Sequence, residues 1–226
     1  MTSDELFDAF REDVSDLASP HLWSDSEVYR YMNDSYVMFV RLTGGVPDST
    51  SPLTQIPVYT GEANAEISPL ILRIRDAQLV SLGRPLKIIN HTDLPLVSLP
   101  DYGTIRDVYL NNLSGEVRYM LIGQQRGLAT WIQVPAEDDT VQLSVYRLPL
   151  ERIVGPEQEF FDIGDEHHEH LLLWMKSRAY GKQDAETFDK GRRDEYKAAF
   201  TEYCSMAKSE WERAKSKVRS VAYGGI

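Results

Sequence analysis

LWSDSEVYRYMNDSYVMFVRLTGGV, residues 22–46, holds a helix, its start, its stop and the point where the chain changes character. Ser24-Asp25-Ser26-Glu27 has the spacing of a capping box, in which the Ser hydroxyl and the Glu carboxylate satisfy backbone N–H groups that have no helical partner. Trp23 stands just before the cap, where an apolar side chain fixes the entry of the chain. Val28, Met32, Ser35, Tyr36 and Phe39 then recur at helical spacing along one face. Gly44-Gly45 ends the run, and from Val46 the pattern becomes that of strands and turns.

Moving outward toward the start, Thr2-Ser3-Asp4-Glu5 is a second capping box. Leu6, Phe10, Val14 and Leu17, widened by Phe7, predict a helix that runs until Ser19-Pro20. In the other direction, residues 46–154 hold most of the prolines and many β-branched residues. Strands are expected at 58–60, 70–74, 86–90, 117–122, 128–134 and 141–148. The clearest is the last, where Val141, Leu143 and Val145 alternate with Gln142, Ser144 and Tyr146. Gly123 to Gly127, GQQRG, reads as the hairpin turn between two of these strands.

Helical spacing returns near Ile163. A helix is expected over 165–180, with Leu171, Trp174, Met175 and Arg178 buried or half-buried and Gly181 as its C-cap. Asp184 is expected to cap a long last helix reaching Lys217, with a stripe of Phe188, Tyr196, Phe200, Tyr203, Ala207, Trp211 and Ala214. Residues 218–226, VRSVAYGGI, read as an extended arm. The expected fold class is therefore α+β: a four-helix bundle formed by the N- and C-terminal helices, with an inserted antiparallel β domain. The expected divisions are 1–45, 46–154, 155–217 and the arm 218–226.

Composition excludes several functions. The 226 residues carry 24 Lys/Arg and 35 Asp/Glu, a net charge of −11. Nucleic-acid readers need a cationic footprint, which such a chain lacks. The charge is uneven, since 182–226 holds ten basic and eight acidic residues against 14 and 27 in the rest. One cysteine, Cys204, leaves no internal disulfide or cysteine-based zinc site, and its place on the apolar side of the last helix reads as a small buried thiol. The opening MTSDELFDAF lacks a basic-plus-apolar leader, and no apolar run nears the roughly 20 residues of a membrane span. A soluble protein made in a reducing cytoplasm is expected, so the sequons at Asn33, Asn90 and Asn112 carry no meaning.

The most suggestive chemistry is Asp165-Glu166-His167-His168-Glu169-His170. A zinc-protease helix needs a second histidine four residues after the first with glutamate between, and Leu172 occupies that place after His168. A solvated first helical turn, whose carboxylates complement the helix dipole, is the reading adopted; a metal-dependent hydrolase is the rival. No GxSxG elbow, Walker loop or dinucleotide fingerprint is present. No catalytic residue, cofactor or metal is assigned. Trp211 and Tyr223 fit a core or an interface equally well.

Two segments resemble the head-to-tail adaptor (connector) proteins of short-tailed bacteriophages. Leu22-Trp23-Ser24-Asp25-Ser26-Glu27 leading to Tyr31-Met32-Asn33-Asp34 is similar to that family's opening helix. Leu171-Leu172-Leu173-Trp174-Met175, followed by Arg178 to Asp189, is similar to its closing helix–turn–helix. The resemblance implies a non-enzymatic virion protein at the head–tail junction, assembled in the host cytoplasm. It implies a ring of about twelve copies of itself, a portal protein on one side and a tail nozzle or tube protein on the other. DNA would pass through without specific binding, and no membrane is involved. The partner-binding residues implied are Trp211, Lys215, Lys217, Val218, Arg219, Val221, Tyr223 and Ile226. A tail tube or nozzle subunit is the nearest alternative role.

Overall fold

The computed structural model describes residues 1–96, 98–99, 103–184 and 186–215. Its helices are α1 (Ser3–Asp13), α2 (Asp25–Thr43), α3 (Ile105–Leu110), α4 (Leu171–Tyr180) and α5 (Lys190–Lys215). The chain divides into two compact units: a helical one, from Met1–Gly45 with the described residues after Leu148, and a β one, Val46–Leu148.

In the helical unit both capping boxes form. The Thr2 hydroxyl accepts from the Glu5 amide while the Glu5 carboxylate accepts from the Thr2 amide, and Ser24 and Glu27 do the same. Gly44, at φ 103°, closes α2 in the left-handed region that a side chain would resist. Val28, Met32, Ser35, Tyr36 and Phe39 are all buried, so the predicted face is the real one. Trp23 lies 1% exposed, edge-on to Phe10 and Tyr180, with its Nε1 donating to the Ala179 carbonyl at 3.2 Å. The Ser35 hydroxyl donates to Leu171 O at 2.7 Å and joins α2 to α4; the Ser177 hydroxyl donates to Arg193 O at 3.0 Å and joins α4 to α5.

The helical unit holds four helices of unequal length, α1 and α4 with 11 and 10 residues against 19 and 26 in α2 and α5. The first helix stops at Asp13, well before Pro20, because Asp16 takes control of the chain. Its carboxylate is buried, pairs with Arg11, and accepts the Leu22 amide at 2.8 Å and the Trp23 amide at 3.4 Å. Arg11 also reaches Asp25 at 2.8 Å. Leu17 is consequently exposed and lies outside any helix. Residues 165–167 form a 3-10 turn and α4 begins only at Leu171, while Arg178 is exposed and pairs with Asp34.

The last helix starts at Lys190, six residues after the expected cap. Asp184 instead accepts the Thr187 amide and hydroxyl within a turn, and the Asp189 carboxylate accepts the Arg192 amide at 3.0 Å where the helix begins. Phe188 therefore falls outside the helix and is exposed.

The β unit has strands β1 (Val46–Asp48), β2 (Gln55–Val58), β3 (Asn64–Glu66), β4 (Ile71–Leu79), β5 (Arg84–Pro85), β6 (Lys87–Asn90), β7 (Ser98–Leu99), β8 (Gly103–Thr104), β9 (Ser114–Gly115), β10 (Tyr119–Ile122), β11 (Leu128–Trp131), β12 (Val134–Pro135) and β13 (Asp139–Arg147). One sheet runs β1-β13-β4-β5, with β2 also on β13, and a second runs β3-β11-β10-β6. The GQQRG turn joins β10 to β11 as an antiparallel hairpin, and its two glycines have positive φ. Most pairings are antiparallel, but β6 runs parallel to β10 and β9 parallel to β12.

Alternation builds the layers. Val141, Leu143 and Val145 of β13 join Ile56, Leu79, Met120 and Trp131 in one buried cluster drawn from both sheets. On the opposite face of the second sheet, Ile89 and Leu121 meet Ile105 and Val108 of α3 and Ile132. That helix, absent from the sequence reading, covers a sheet face that would otherwise be wet. Arg147 and Asp48 form a buried pair at the β1–β13 edge. Burial opposes the charge on Asp48, but hydrogen bonds from Ser51, Thr50 and Arg147 outweigh it and hold the carboxyl far below the usual range.

Candidate partner-binding surfaces

Helix α5 sets out the first candidate. Phe200, Cys204 and Ala207 are buried and Tyr196 and Tyr203 half-buried, so the stripe seats the helix on α4 and α2. Between 208 and 214 Trp211 is half-buried and its neighbours, including Ala214, are exposed. At 1.5 Å per residue the helix is about 39 Å long, and its final two turns contribute little to the core. Cys204 is 1% exposed, with burial pushing its thiol up to about 12, which makes it an unreactive core residue.

Of the sequence-predicted partner residues, Trp211 lies on these last turns and Lys215 is the final described residue of α5. Lys217, Val218, Arg219, Val221, Tyr223 and Ile226 lie outside the described residues, as does the whole expected arm.

The histidine string is corrected in its surroundings. His167 and His168 are buried, at 7% and 3% exposure, instead of solvated. His167 Nδ1 lies 2.9 Å from the Tyr203 hydroxyl, and its ring packs on Phe39. His168 Nε2 faces the Ile163 carbonyl at 3.4 Å. His170 stacks on Tyr203 with ring centres 3.5 Å apart. Burial lowers the pKa of both His167 and His168 and favours the neutral rings. Among the described residues no group of three or more His, Cys, Asp or Glu is placed to hold a metal ion. The aromatic neighbours make this string a packing element between α2, α4 and α5.

The β unit presents a surface that the sequence reading missed. An open groove of about 300 Å³ has an apolar floor of Val58, Leu79, Leu82, Val117 and Pro135. Its rim carries Glu137, Asp138 and Asp139, the turn leading into β13. The Thr60 amide and hydroxyl hold the Asp138 carboxylate at 2.7 and 2.8 Å and keep its pKa low. Burial works against Asp139, but hydrogen bonds from Ser81 and Thr140 prevail and lower its pKa too. Glu116, also on the rim, is bound to Arg84 and Arg118. Among the described residues none of the three consecutive acids has a cationic partner. The signal available in the sequence was PAEDDT, three acids between Pro135 and a strand, which reads equally well as a solvated turn.

A second cleft lies between α4 and α5, about 420 Å³, lined by Trp174, Arg178, Arg193, Asp194 and Lys197. Arg178 and Arg193 are engaged by Asp34 and Asp194. The helical unit thus offers a mildly basic cleft and the β unit an acid-rimmed one.

No helix of the described residues is long and apolar enough to cross a membrane. Compared with known families, the chain matches the model described as SU10 adaptor protein over residues 1–221, which spans both units. No curated protein matches it.

Proposed function

The chain belongs to the SU10 adaptor protein family and is a phage structural adaptor, and on that premise we propose that it is the head-to-tail adaptor of a short-tailed phage. In this reading it forms a ring of about twelve copies at the head–tail junction, joins the portal to a tail nozzle or tube protein, and lines part of the DNA exit path. It assembles in the host cytoplasm and acts without catalysis. Membership of a structural family is the ground for the last point.

The observation that carries the reading is a family match across nearly the whole chain. Two further features support it. The net charge of −11 gives DNA phosphates no gain from counterion release, which suits a conduit better than a binding site. Helix α5 extends past the core and leads to residues 216–226, which carry Lys217 and Arg219 among apolar residues and no acid. The helical unit, through Trp211, Lys215 and that segment, is proposed to meet the portal. The β unit is proposed to meet the tail.

Co-sedimentation with isolated portal rings tests this, using the full chain against a version ending at Lys217. Saturable binding that needs the missing residues is expected. Assembly into tubes, or binding to tail components alone, would move the protein into the tail.

A further inference from the structure

We propose that the acid-rimmed groove of the β unit receives residues 216–226 of a second copy of this chain. The groove has the two properties that an extended, apolar and basic segment requires. Its floor of Val58, Leu79, Leu82, Val117 and Pro135 is apolar and open, so side chains of an incoming strand gain burial there. On its rim Asp138 is held by Thr60 and Asp139 by Ser81, and neither these two nor Glu137 has a cationic partner among the described residues, Arg84 and Arg118 being paired with Glu116. Ser216 to Ile226, SKVRSVAYGGI, supplies the complement: Lys217 and Arg219 with Val218, Val221, Tyr223 and Ile226. Complementary charge sets register and partner choice, and the apolar positions supply the area.

Eleven residues span at most about 38 Å when fully extended. A segment on one surface filling a groove on another is a heterologous contact, the kind that closes into a ring when the rotation allows. The proposal rests on the ring reading above and names its contact. The segment would then have two docking places, this groove and the portal, which compete for it.

The test uses full-length chains and self-association measured by sedimentation velocity. Glu137→Lys with Asp138→Lys, and separately Lys217→Glu with Arg219→Glu, should each weaken self-association at least tenfold, about 1.4 kcal/mol. Both positions in 137–138 are on a surface turn, and unchanged thermal transitions would show that the fold is intact. The chain carrying all four reversals should regain association, because the charges again match. A mixture of the two paired variants should also regain association, because each segment then meets a groove of opposite charge on the other variant.

Rings that form unchanged in both paired variants would overturn the groove while leaving the ring reading standing. A wild-type chain that stays monomeric at every concentration would sink the ring reading. In that case a synthetic peptide of residues 216–226 titrated into the protein still reads the groove directly. Peptide binding equal to that of a scrambled sequence would overturn the groove, and binding lost with Asp138→Lys would support it. A groove variant that remains fully associated, yet whose residues 216–226 become newly sensitive to protease, would place the contact within one copy and overturn the role of the second.

Discussion

Trp23 in the helical unit and Trp131 in the β unit are both 1% exposed, and they are buried by different routes. Trp23 precedes the Ser24 cap, so the local sequence aims it, and its Nε1 finds the Ala179 carbonyl. Trp131 is placed by register, opposite Met120 across a hairpin, and its Nε1 is buried with no partner among the described residues. The buried arginines repeat the contrast. Arg11 pairs with Asp16 and Asp25, 5 and 14 residues away, whereas Arg147 meets Asp48 across 99 residues. In the helical unit local caps and short-range ion pairs start the packing and distant partners such as Ala179 and Tyr180 complete it; in the β unit strand register places the side chains.

The largest effects test the tryptophans. Trp23→Ala and Trp131→Ala should each cost about 3–5 kcal/mol in urea unfolding, as deletions of large core side chains do. The milder Phe replacements sharpen the contrast. Trp23→Phe abandons the Ala179 carbonyl and should cost about 1 kcal/mol more than Trp131→Phe, which removes an unsatisfied donor. The reverse order would break the comparison.

Next come the ion pairs. Asp48→Ala removes a buried carboxylate that accepts from Arg147, Ser51 and Thr50 and should cost about 3–5 kcal/mol. Asp16→Ala with Asp25→Ala should cost more than Asp16→Ala alone, and equal losses would mean that Asp25 shares none of the Arg11 charge. Since the Asp48 pKa is lowered in the folded state, its contribution is complete above the ordinary aspartate value of about 3.9. It fades as pH falls through the folded value. In wild type this appears as acid destabilisation that Asp48→Asn reduces.

A smaller effect comes from the buried histidines. The folded pKa values of His167 and His168 are lowered, so the unfolded chain binds more protons below about pH 6.5. Stability should therefore decline as pH falls from 7 to 5, and the double change His167→Gln, His168→Gln should flatten that slope. A slope unchanged by the double variant would mean that both rings are solvated after all. The smallest effects are the caps: Thr2→Ala and Ser24→Ala should each lose about 1 kcal/mol, read by thermal melts.

Legibility in the sequence followed the range of the physics. The starts of α1 and α2, the Gly44 stop, the GQQRG hairpin and the alternation of β13 were readable because each depends on residues within a few positions. The end of α1 was not, since Asp16 turns the chain through bonds to Arg11, Leu22 and Trp23 that no spacing rule encodes. Nor was the burial of His167 and His168. A string of acids and histidines looks solvated until Phe39, Phe160 and Tyr203 close over it. The acid-rimmed groove shows the same limit, because its floor comes from four separate stretches of the β unit.

The sequence by itself determined the order of helical and β segments, the capping of the first two helices and the strongly acidic balance. Those are properties of residue type and near-neighbour spacing. Tertiary structure alone decided where α1 ends and where α4 and α5 begin, the parallel pairing of β6 with β10, the helix α3 that covers the second sheet, and which described carboxylates stand without a cation. Each depends on groups far apart in the chain meeting in space, where burial makes charge and hydrogen bonding count for more than local preference.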